Sequence, residues 1–132
     1  MLMSKKTQFA IEFTFLMAFM FVIFLSFTGI ITAKILDAKE NQRQQIAEDV
    51  AVFANNEIEL AQSVSDGYSR NFTLPSRING NNYSVIILDN REIVANYLDK
   101  EYVAFMKGNV TGNLTTGRNT LRKKDGIVFV NK

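Results

Sequence analysis

The chain has 132 residues and a mass of 15.0 kDa, with 47% apolar and 21% charged side chains, the balance of one ordinary domain. It contains no Cys and no His, which excludes a disulfide framework, a thiolate metal site and a Ser-His-type triad. The net charge of +2 comes from Lys5 and Lys6, and from Gln8 onward basic and acidic side chains balance at 13 each. A near-neutral chain has no field to draw in a polyanion, so the expectation is a non-enzymatic protein without cofactor, metal or nucleic-acid partner.

The apolar residues are concentrated at the front. Seven of the eleven Phe lie between Phe9 and Phe27, and no charge occurs from Phe13 to Ala33. The run over 13–31 predicts a helix roughly 29 Å long, close to the ~30 Å hydrocarbon thickness of a bilayer. At ~100° per residue its Phe side chains surround the helix and leave no polar stripe, so lipid or protein must cover every side. As a secretory signal peptide the run is too long and has no small-x-small cleavage site. A plain single-pass anchor accommodates the run but gains nothing from Glu12. A carboxylate at the bilayer midplane costs ~2.5–3.5 kcal/mol, less near a helix start, against ~0.3–1 kcal/mol returned by the helix dipole.

The residues Lys5-Lys6-Thr7-Gln8-Phe9-Ala10-Ile11-Glu12-Phe13-Thr14-Phe15-Leu16 combine a basic leader, a Gln, a Glu four residues later, a Leu four after that, and then the long apolar helix. This pattern resembles the class III signal peptide of archaeal type IV pilins. Thr7 stands where that family often has Gly, and Ala10 where it often has Ser. The resemblance implies cleavage by a prepilin peptidase at the Thr7–Gln8 bond, on the cytoplasmic side, with the apolar helix retained on the mature chain. It further implies that Glu12, fifth in the mature chain, pairs with the new α-amine of Gln8 on a neighbour and sets subunit register. The implied partners are the lipid bilayer before assembly, a membrane platform with its ATPase, and further copies of the chain packed through residues 8–33. The flanking Lys34, Lys39 and Arg43 leave the charge count ambiguous about topology. The peptidase motif implies a cytoplasmic N-terminus and a C-terminal domain outside.

The next segment, 37–45 (DAKENQRQQ), is polar on all sides but rich in helix formers, which predicts a continuous solvated helix rather than a hinge. After it Ile46, Val50, Ala54, Ile58, Ala61 and Val64 form an amphipathic stripe, the expected core face for the rest of the chain. Asp66-Gly67 reads as a stop. The helix is thus expected from Gln8 to about Ser65, a length of roughly 85–90 Å.

Beyond it the period shortens. Phe72 with Leu74, then 83–88, 93–98, 102–106, 110–115, 119–122 and 127–130 read as short strands, separated by turns at Asn79-Gly80, Asp89-Asn90, Lys107-Gly108 and Asp125-Gly126. These predict a small antiparallel sheet or sandwich that borrows the helical stripe for its core. Phrases such as Asp66-Gly67-Tyr68, Leu74-Pro75 and Val110-Thr111-Gly112-Asn113-Leu114 are patchily similar to small archaeal pilin-like proteins. Four glycosylation sequons begin at Asn71, Asn82, Asn109 and Asn113; alternatively these residues serve turns and exposed strand faces. Arg118, Arg122, Lys123 and Lys124 form a basic cluster read as a solvated hairpin end.

The expected organisation is α+β: a leader over 1–7, a transmembrane and filament-core helix over 8–33, its exposed amphipathic continuation over 34–65, and a β-rich domain over 66–132. The function expected from the resemblance is a structural subunit of a surface filament used in adhesion. The alternatives are a minor or priming pilin-like protein, or a monomeric membrane-anchored binding domain.

Overall fold

The computed structural model describes residues 4–132, so the first three residues of the leader expected over 1–7 lie outside the described residues. The fold is α+β: one long N-terminal helix, α1 (Lys5–Ser63), and a small sheet domain packed against its second half. The chain divides between Lys39 and Glu40 into two compact units.

Among the described residues of the first unit there is only helix, and almost every side chain is exposed. Apolar residues are exposed on all sides, from Phe9 at 74% to Leu36 at 60%. The embedded hydroxyls close onto the helix itself: Thr14, Ser26, Thr28 and Thr32 each donate to the carbonyl four residues back, at 2.8–2.9 Å. A hydroxyl satisfied in this way loses little on leaving water. This helix, near the N-terminus, is long and apolar enough to cross a membrane.

The second unit builds its core on the last turns of α1. The buried stripe is Ala47, Val50, Ala51, Ala54, Ile58 and Ala61. Ile46 and Val64, expected within it, are only half-buried at its ends. Four of the six stripe residues are Ala with no exposed surface, which brings the strands close to the helix backbone. The polar stretch around residue 40 is not purely solvated. Lys100 binds Glu40 at 2.6 Å and Arg43 binds Asp99 at 3.0 Å, fastening a strand turn to the helix.

Seven strands follow: β1 (Ser69–Leu74), β2 (Tyr83–Leu88), β3 (Glu92–Tyr97), β4 (Lys100–Phe105), β5 (Val110–Gly112), β6 (Gly117–Lys124) and β7 (Ile127–Val130). They form a four-stranded sheet in the order β1-β6-β7-β5 and a three-stranded meander β2-β3-β4. The inner faces of both sheets and the helical stripe belong to one core that includes Phe72, Leu74, Ile93, Leu121, Val128 and Val130.

Pairing is antiparallel except between β5 and β7, which run parallel, a departure from the all-antiparallel expectation. The strand expected over 110–115 stops at Gly112 for a steric reason. Gly112 has φ +117°, and a Cβ there would fall 2.0 Å from the Val130 carbonyl oxygen. Past it, Asn113 Oδ1 accepts hydrogen bonds from Ile87 N and Leu114 N, tying the two sheets together. The expected turns at Asn79-Gly80, Asp89-Asn90 and Asp125-Gly126 all carry positive φ at both residues. The helix ends at Ser63 rather than near Ser65, and Gly67, with φ +92°, belongs to the turn that follows it.

Candidate functional site

The residues expected to be cut and to set register, Thr7, Gln8 and Glu12, lie together at the start of α1. Thr7 and Gln8 occupy its first turn, their backbone N–H groups both donating to the Ser4 carbonyl at 2.9 and 3.1 Å. Ser4 thus stands at the N-cap, so the Thr7–Gln8 bond is held in the least supported turn of the helix, where fraying is cheapest. One turn further on, the Gln8 side chain donates from Nε2 to Glu12 Oε1 at 3.1 Å. Glu12 therefore has a partner within its own chain, a neutral amide at the i−4 position. Phe9, Phe13 and Leu16 surround the acid with exposed apolar surface.

The four sequon asparagines are all exposed. Asn71 lies in β1, Asn82 just before β2, and Asn109 and Asn113 flank β5. In three of them the side-chain oxygen is engaged: Asn71 accepts from Thr120 Oγ1, Asn109 from Arg91 Nε, and Asn113 from two backbone N–H groups. A glycan takes the nitrogen, so these contacts and a modification use different atoms of the same amide.

The basic cluster separates into two roles. Lys123 turns inward, and its ammonium donates to the carbonyls of Gln62 and Val64 at 2.6 and 2.7 Å. It caps the C-terminus of α1, whose last turn contains no basic residue of its own. Arg118, Arg122 and Lys124 occupy alternate positions of the same strand and point to the opposite face, exposed. The acidic helix residues are also structural: Glu57 pairs with Arg70 at 3.2 Å and Glu59 with Lys107 at 3.7 Å.

Asn119 was not singled out by any sequence pattern. It has no exposed surface. Its Oδ1 accepts from Thr115 N and Asn131 Nδ2, each at 2.9 Å, and its Nδ2 donates to the carbonyls of Thr115 and Gly117 at 2.8 and 3.1 Å. The only hint in the sequence is an Asn at an inward position of a strand.

The chain matches no protein-family model, no curated protein and no solved structure.

Proposed function

We propose that the chain is the structural subunit of a type IV pilus-like surface filament of the archaeal kind. In this reading a prepilin peptidase removes residues 1–7 and the apolar helix passes from the bilayer into a bundle of sister helices. The C-terminal domain then lies outside the cell, where its exposed sequons are open to glycosylation. The observation that carries the reading is a helix apolar on every side with one acid near its start. Such a helix needs apolar surroundings all round, and a bilayer and a helical bundle both provide them.

Cleavage creates an α-amine on Gln8 with a pKa near 7.7–8.0. In a bundle the Glu12 carboxylate of one copy meets that amine on the next. The pair adds little net stability once desolvation is counted, but a misaligned copy leaves both charges unpaired in an apolar core. The expected outcome for Glu12→Ala is a chain cleaved and retained in the membrane fraction that forms no ordered filaments, seen by electron microscopy of sheared material. Normal filaments from that variant contradict the assignment. The Gln8–Glu12 hydrogen bond favours one alternative, a monomeric anchored domain whose acid is satisfied at home. That alternative predicts an uncleaved chain and no change on substituting Glu12.

A further inference from the structure

The outer faces of the two sheets differ in charge. On the four-stranded sheet, Arg118, Arg122 and Lys124 project outward from β6, beside Phe129 and Ile127 of β7. On the meander, the outward row Ile86, Val94 and Val103 runs across all three strands, with Val94 buried between two half-buried neighbours. The neighbouring outward row is Leu88, Glu92 and Phe105, and Glu101 ends the row beyond. Phe105 is 70% exposed, Leu88 43% and Ile127 42%. Among the described residues, none of Arg118, Arg122, Lys124, Glu92 and Glu101 forms an ion pair. The chain as a whole is close to neutral, with 15 basic and 13 acidic residues, so copies do not repel one another as whole bodies.

We propose that the basic outer face of the four-stranded sheet docks onto the acidic, apolar outer face of the meander of a second copy, forming a head-to-tail contact in the outer layer of the filament. Each face has an apolar centre and unpaired charge of one sign, and the two signs are opposite. The faces are different patches of one chain, so the contact is heterologous and extends into an open array instead of closing a dimer.

Size defines how the contact works. Six residues at ~3.4 Å and three strands at ~4.8 Å make the meander face roughly 20 by 14 Å, about 300 Å². Two such faces bury about 600 Å², below the ~1,200–2,000 Å² of a stable pair. The contact therefore forms only between copies already tethered at high local concentration through their helices. In this respect the inference rests on the filament reading. Asn71 shares the basic face, hydrogen-bonded to Thr120 of β6, so a glycan there and the docked face exclude each other.

The test is zero-length carbodiimide cross-linking of the full chain in sheared surface material grown as a mixture of light and ¹⁵N-labelled cells. The Lys100–Glu40 pair, 2.6 Å apart, supplies the intrachain control product. The expected product is an interchain bond from Lys124 to Glu92 or Glu101. Arg118→Glu with Arg122→Glu should lower its yield at least about tenfold, and adding Glu92→Lys with Glu101→Lys should restore interchain cross-linking between the same two faces, with amine and carboxylate exchanged between them. If the first double variant does not fold, the neutral pair Arg118→Gln with Arg122→Gln, which keeps Lys124, Glu92 and Glu101, carries the same direction of change. Filaments whose interchain products map to other faces, or in which Asn71 is fully glycosylated, overturn this inference and leave the filament reading intact. Only intrachain products from material that contains filaments overturn this inference alone, whereas a chain absent from sheared surface material overturns both. Loss of binding to anionic vesicles in the arginine variants, with no interchain product in the native chain, assigns the face to a lipid surface and overturns the inference.

Discussion

Asn119 illustrates how a single polar side chain organises the end of this domain. Fully buried, it satisfies both its oxygen and its nitrogen, and it joins the 115–117 loop to Asn131. Asn119→Ala removes four hydrogen bonds made by one fully buried side chain, so a loss of about 3 kcal/mol is expected, or a melting temperature lower by more than ~10 °C. The exposed Asn82→Ala should stay within about 0.5 kcal/mol, as calorimetry of the two variants side by side will show. Tyr83 makes a second residue-scale prediction. Burial pushes its phenol pKa up, and its hydroxyl donates to the Pro75 carbonyl. The folded state therefore holds that proton more tightly than the unfolded chain does. The contribution is present below the ordinary value near 10 and is lost as pH rises through the folded value. Denaturant midpoints measured from pH 8 to 11.5 should fall less steeply for Tyr83→Phe than for the native chain, and parallel curves contradict the assignment.

At the scale of elements, the end of α1 is fixed from outside. Lys123 reaches from β6 to the Gln62 and Val64 carbonyls, charge-assisted bonds worth about 1.5–3 kcal/mol together with the helix dipole. Lys123→Met should lose an amount of that order and unprotect the last helical turn in hydrogen exchange. Lys124→Met, one residue on and exposed, should do neither. This contact also shows where sequence reading stops. Hydrophobic period located the apolar segment and the core stripe, while the pairs Asn79-Gly80, Asp89-Asn90 and Asp125-Gly126 located three tight turns, because each is a local property of a few residues. Which strand lies beside which is not local. β1 pairs with β6 across an inserted meander, and β5 runs parallel to β7, with Gly112 set close against the Val130 carbonyl. The inward turn of Lys123 depends on that pairing, so a run of four basic residues could not reveal it. Leu98, in the two-residue turn after β3, takes φ +54° without the Gly or Asn that marks such a position, and so left no signal. Ala47 and Ala51 fall outside the expected stripe, although Ala is the residue that lets sheet and helix approach.

At the scale of the whole molecule, the chain combines a helical segment that buries nothing of its own with a domain that has a complete core. The candidate site was legible at the level of residue identity: Thr7, Gln8 and Glu12 stand within two helical turns, as their spacing required. The bond from Gln8 to Glu12 was not legible, since a Gln four residues before an acid does not by itself fix the rotamer that joins them. On the filament account this bond belongs to the chain before processing, and cutting at Thr7–Gln8 converts Gln8 from a side-chain partner into a terminal cation. The most direct measurement is N-terminal sequencing of the chain recovered from sheared cell-surface material. The account predicts a single sequence that begins at Gln8; material that still carries Lys5 and Lys6, or that begins beyond Glu12, contradicts it.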